Sequence, residues 1–220
     1  MTRNGLLTIL AFFIIFIGGV SVSYFLMKPV QKLKIYSPSD LNPKLVDEET
    51  LNKNIEHTIS PFSLYNQNGK LITEKVLSDK IYVADFFFTT CPSICPKMSK
   101  QMLRVFDKYK DNSKIMLVSH TVMPEVDSVP VLKDYAARYG INSDNKWLFL
   151  TGDKKEIYRL ARKSYFAAIN EGIGDKNDFI HTENFVLVDT KKRIRGFYDG
   201  TNKEEVEKLI DDIEILLHEN

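Results

Sequence analysis

The chain has 220 residues, with 30 basic against 29 acidic side chains, and so lacks the one-sided basic excess that a nucleic-acid-binding surface needs. Its hydrophobic content of 44% is ordinary for a globular protein, and the length accommodates one well-cored domain plus an appendage. Two cysteines permit at most one intrachain disulfide. With three residues between them, that bridge would close too short a loop to stabilise much, so redox exchange or metal binding explains the pair better than a staple.

Residues 1–4 form a short N-terminal tail. Residues 5–27 then carry no charge; as a helix they would reach roughly 34 Å, against a hydrocarbon core of about 30 Å. This predicts a transmembrane signal-anchor. Arg3 precedes the apolar run and Lys28, Lys32 and Lys34 follow it, so a positive-inside count alone would place the bulk of the chain in the cytoplasm. The very short N-terminal tail and long folded C-terminal part point the other way. The domain is therefore expected to be extracytoplasmic, on the periplasmic side of a bacterial inner membrane. Residues 28–56, with Pro29, Pro38 and Pro43 and no sustained period, read as a tether, and 57–220 as the folded domain.

Within that domain, residues 62–65 and 70–73 flank Asn66-Gln67-Asn68-Gly69 and predict a β-hairpin. The apolar run 81–88 predicts a buried strand, and 97–109 a helix with Met98, Met102, Val105, Phe106 and Tyr109 on one face. Further strands are expected at 114–122 and 147–150, and helices at 129–139 and 154–166. A second hairpin is expected from 185–188 and 194–198, and a last helix opens at Thr201. Alternation followed by an antiparallel hairpin and a helix predicts an α/β domain: a central mixed β-sheet flanked by helices, in the thioredoxin-like order.

Both cysteines lie in Phe88-Thr89-Thr90-Cys91-Pro92-Ser93-Ile94-Cys95-Pro96, where the strand at 81–88 gives way to the helix. Pro92 suits a first helical position, leaving Cys91 at a cap where a thiolate is stabilised. Pro96 disfavours helical geometry at Cys95. An irregular loop through Cys95 is therefore expected, with the regular helix starting near Pro96. Thioredoxins place a proline beside their cysteines just before the last hairpin. This chain has none after Pro130, and in about that place stands His181. Two thiolates and an imidazole suit copper, whereas zinc would want a fourth donor; His120, Asp178 or Glu183 could supply one, and nothing in the sequence singles any of them out.

The run from Phe88 to Met98, together with His181 ahead of the last hairpin, resembles the Sco family, also called SenC or PrrC-like. The resemblance extends through Ser119-His120-Thr121-Val122 and Trp147-Leu148-Phe149-Leu150-Thr151-Gly152-Asp153, over roughly 59–217. It implies a membrane-anchored copper chaperone for cytochrome c oxidase assembly. Cys91, Cys95 and His181 would hold one copper ion per domain, as Cu(I) or Cu(II). The ion would pass to the binuclear copper site of oxidase subunit II; alternatively, a thiol–disulfide reductase would use Cys91 and Cys95 to keep that site's cysteines reduced. Where many relatives have Asp-Pro, this chain has Met123-Pro124, which makes Met123 a candidate weak thioether neighbour of the metal.

Overall fold

The computed structural model describes residues 3–26, 32–46, 56–143, 146–169, 174 and 178–219. The first two residues of the tail, Met27 of the expected anchor, and tether residues 28–31 and 47–55 lie outside the described residues. The chain divides into two compact units, Met1–Lys32 and Leu33–Asn220. In the first, Arg3–Leu26 form one α-helix of 24 residues, α1. Its described side chains are those at 5, 12–21 and 23, and among the described residues no helix is long and apolar enough to cross a membrane.

The second unit is built on a seven-stranded sheet: β1 (Ser63–Asn66), β2 (Leu71–Thr73), β3 (Ile81–Phe87), β4 (Ile115–Thr121), β5 (Trp147–Thr151), β6 (Asn184–Val188) and β7 (Ile194–Asp199), in the spatial order β2-β1-β5-β4-β3-β6-β7. β3, β4 and β5 run parallel, and the hairpins β1–β2 and β6–β7 add antiparallel edges on either side. The first hairpin turns where Asn-Gly predicts it. Gly69 takes φ 73°, a left-handed conformation cheap only for glycine, and its N–H donates to Asn66 O.

The interior strand β3 is buried along its whole length, so its alternating side chains feed two cores. Ile81, Val83 and Phe87 join one core with α2 (Ile94–Tyr109), α3 (Val129–Arg138) and α5 (Lys203–Glu219). Tyr82, Ala84 and Phe86 join the other, which is covered by α4 (Lys154–Arg159) and the π-helical turn Leu160–Ser164. This is the expected mixed sheet with helices on both faces.

Three details differ from the expectation. The helix expected over 154–166 widens into the π turn, in which Tyr165 N–H reaches back to Leu160 O and Ala167 N–H to Ala161 O. The last helix starts at Lys203, capped by the Asn202 carboxamide oxygen, which accepts from the N–H groups of Glu204 and Glu205. Residues 33–46, within the stretch read as a tether, lie on the domain. Tyr36 N–H bonds Ile194 O, Val46 is buried in a core, and the buried Arg195 guanidinium donates to the carbonyls of Leu33 and Lys34.

Candidate metal centre

At its C-terminal end β3 breaks into a turn at Thr89 and Thr90, and Cys91 N–H bonds Phe88 O at 3.3 Å. Ser93 precedes the helix with non-helical φ −129°, and α2 starts at Ile94. The irregular loop expected through Cys95 is therefore corrected: Cys95 is in the first helical turn and Pro96 follows it. The reason lies in the helix end itself, where the first N–H groups have no intrahelical acceptor, so a proline there loses no bond. Cys91 is not the cap residue, yet its sulfur acts as one, accepting the Cys95 N–H at 3.4 Å.

Both thiols are free and buried, Cys91 at 7% exposure and Cys95 at 3%. Their surroundings push them apart. Burial raises the Cys91 thiol, but the N–H groups of Cys95, Ser93 and Ile94 outweigh it and the net shift is down. Cys95 is pushed up to about 12, first by burial and further by the neighbouring Cys91 and Asp85. Asp85 is buried on the same sheet face. It accepts from Ser119 Oγ at 2.5 Å, and Ser119 in turn accepts from the Trp147 indole at 2.9 Å.

The turn is held from outside by Asp127, which is fully buried. Its carboxylate accepts the Thr89 N–H at 3.1 Å, the Thr89 hydroxyl at 2.5 Å and the Thr121 hydroxyl. It thereby ties the residues just before Cys91 to the end of β4.

His181 lies on an extended arm, 178–182, leading into β6. Tyr82 faces Val188 and Ala84 faces Val186 across β3 and β6. Continued past the strand ends, that antiparallel register brings Thr182 to the level of Phe88. Side chains alternate along the arm: Ile180 and Thr182 are buried, while Phe179 and His181 are exposed. The Phe179 ring meets Phe88 edge-on at 5.4 Å between centroids, so the arm lies beside the cysteine turn. The structure thus brings Cys91 and Cys95 together and carries His181 to the same end of the sheet. It does not gather all three, since among the described residues no three His, Cys, Asp or Glu side chains are close enough to hold a metal ion.

Two of the three candidates for a further donor, His120 and Asp178, are engaged elsewhere, while Glu183 is exposed. His120 is fully buried on the opposite sheet face, stacked on Phe86 at 5.0 Å, and Asp178 is locked in an ion pair with Arg162. Met123 packs on that opposite core too, its N–H bonded to Thr121 Oγ1. Met98 and Met102 are core residues with no exposure. Sequence reasoning missed Asp127, Asp85 and Arg162, all buried polar groups whose partners are distant in the chain.

The family model described as SCO1/SenC matches residues 51–218. The SCO1 protein homolog of Bacillus subtilis is 34% identical over 161 residues, covering 72% of this chain and 82% of the relative. The structure of BsSco, described as a member of the Sco family of cytochrome c oxidase assembly proteins with a disulfide switch, superposes with a TM-score of 0.61 at 32% identity, over 74% of this chain and 96% of that one. Arabidopsis thaliana ScoI, solved with copper bound, gives a TM-score of 0.58 at 27% identity, over 74% and 99%. A thioredoxin-like α/β domain and a matching family model over most of the chain together establish that it belongs to the SCO1/SenC family.

Proposed function

We propose that the chain is a membrane-anchored copper chaperone that delivers copper to the binuclear copper site of cytochrome c oxidase subunit II during assembly. Residues 5–27 anchor it, and the domain lies on the periplasmic side of a bacterial inner membrane. Copper is its cargo, one ion per domain, as Cu(I) or Cu(II), taken by Cys91, Cys95 and His181. The observation that carries the reading is the pair of uncrosslinked thiols fixed in one turn, at the sheet end where the His181 arm arrives. Two sulfurs and an imidazole fit copper by donor chemistry. Copper bound to Arabidopsis thaliana ScoI and the oxidase-assembly role of BsSco support the same reading.

Holding the ion requires the arm to close so that the exposed imidazole joins the thiols. Transfer then proceeds by exchange: donors of the acceptor replace Cys91, Cys95 and His181 one at a time, and the ion is never released to water. The test is copper binding by the purified chain. Each of Cys91→Ser, Cys95→Ser and His181→Ala is expected to abolish tight binding of one ion, and full-strength binding by His181→Ala would overturn the three-donor site.

A second reading is favoured by the opposed thiol shifts. A Cys91 held down and a Cys95 held up form an attacking and a resolving pair. The Cys91 thiolate would attack an acceptor disulfide, releasing one thiolate and forming a mixed disulfide. Cys95 would then close the Cys91–Cys95 disulfide, releasing the second acceptor thiol, so that acceptor gains the two electrons this chain loses. A His181→Ala protein that keeps reductase activity toward the oxidised acceptor while losing copper supports it.

A further inference from the structure

We infer that Arg162, through a two-pronged ion pair with Asp178, is the positioning residue that fixes which side of the arm His181 occupies; this rests on the three-donor reading above. Arg162 stands in the π turn and is 5% exposed. Its Nη1 and Nη2 each donate to one Asp178 oxygen at 2.6 Å, and its Nε donates to Ile169 O at 3.1 Å. The Gly174 N–H adds a third donor to the carboxylate at 2.6 Å. The Asp178 backbone is held as well. The Tyr158 hydroxyl reaches its carbonyl at 3.2 Å and the Val122 carbonyl at 3.0 Å, and the guanidinium lies over the Tyr158 ring.

Asp178 is thus the fixed end of the arm, three residues before His181. From it the side chains alternate: Ile180 inward, His181 outward, Thr182 inward. In an extended segment a slip of one residue exchanges the two sides, which would turn the imidazole into the core and Ile180 into water. A buried ion pair adds little net stability over an apolar pair of the same size, and its best-attested use is to fix register. The planar guanidinium suits that use, because two parallel bonds set direction as well as distance, which a lysine ammonium does not do. The fork therefore defines the arc through which His181 reaches the thiols without itself touching the metal.

The test uses the full chain in detergent micelles, with two fork variants, Arg162→Gln/Asp178→Asn (which leaves no unpaired buried charge) and Arg162→Lys, and with His181→Ala as reference. Hydrogen–deuterium exchange of the metal-free proteins is read over 178–184 and over 86–95. Copper(II) sulfate is then added, and the nitrogen coupling in the electron paramagnetic resonance spectrum and the thiolate-to-copper absorption are recorded. The fork variants are expected to exchange at least tenfold faster over 178–184 and unchanged over 86–95. They are also expected to lose nitrogen coupling as His181→Ala does, and to keep the thiolate band. Full nitrogen coupling in both fork variants, beside its loss in His181→Ala, overturns the positioning role. Full coupling in His181→Ala itself overturns the three-donor reading, and this inference with it. Should the double variant not fold, Arg162→Lys decides by the same readouts.

Discussion

Asp85 is 2% exposed and has the Ser119 hydroxyl as a hydrogen-bond donor. Burial lifts its pKa to about 7 against the Ser119 bond, which pulls the other way. Between the ordinary carboxylate range near pH 4 and about pH 7, the folded chain holds a proton that the unfolded chain has lost. The contribution of Asp85 to stability is therefore fully present below about pH 4 and is lost as pH rises through 7. With 1.36 kcal/mol per unit, the loss between pH 5 and pH 8 is about 2.5 kcal/mol. For a domain of this size that corresponds to a fall in melting temperature of about 5–10 °C. Asp85→Asn keeps an acceptor for Ser119 and cannot ionise. Thermal melts of the reduced, metal-free parent and variant at pH 5 and pH 8 isolate this one group, since every other titration is shared. The variant is expected to gain about 2.5 kcal/mol on the parent between the two pH values. Parallel pH profiles would refute the reasoning.

His120 makes the opposite contribution. Its ring is fully buried, and burial lowers its pKa to about 4 against an opposing pull from the Asp85 backbone. The stability it contributes is present above about pH 6.5 and is lost as pH falls toward 4, about 2 kcal/mol of it by pH 5; His120→Phe should remove that loss, seen as a larger gain in melting temperature at pH 5 than at pH 8. Asp127→Ala strands the Thr89 N–H and two hydroxyls; about 2–4 kcal/mol should be lost in urea unfolding, with faster amide exchange across the cysteine turn. Phe179 is half exposed and contributes little to the core, but its edge contact with Phe88 is worth about 0.5–1.5 kcal/mol. Phe179→Ala should therefore leave the melt nearly unchanged and weaken copper binding about two- to tenfold in a chelator competition; unaltered affinity would remove this contact from the site.

The strands and helices were legible because period and turn chemistry agree along the chain. Asn68-Gly69 sits at its turn, and the apolar runs are the three parallel strands. The start of α2 was misread because the restriction that Pro96 places on Cys95 was weighed without the freedom of a helix end. The π turn was invisible because Ile157, Leu160, Ala161 and Tyr165 keep a helical spacing either way, and the bonds from Tyr165 N–H to Leu160 O and from Ala167 N–H to Ala161 O tell the two apart. The cysteine pair was legible because its geometry is local. Asp85, Asp127 and Arg162 were not, because their partners lie 34, 38 and 16 residues away and a lone charged residue in sequence reads as solvated surface. Asp127 in particular looks like the turn before α3, and its bonds to Thr89 exist only once β3 and β4 are side by side.

The placement of the two cores gives the site its mechanical character. Cys91 and Cys95 belong to the core under α2, α3 and α5. The arm of His181 is fixed through the opposite layer, by Arg162 in the π turn, by Tyr158, and by Ile180 in the other core. Phe88 packs against both cores and touches Phe179 at the rim, so the two halves meet around the end of the sheet rather than through it. A third donor on α2 itself would have to move the helix that buries the thiols. On the three-donor proposal, His181 would approach from an arm whose Ile180 stays in the other core, so the movement would be confined to the exposed side chains and to the rim contact between Phe88 and Phe179. A chaperone working as proposed, holding a soft ion and then giving it up, would use that separation between a rigid thiol pair and a movable rim.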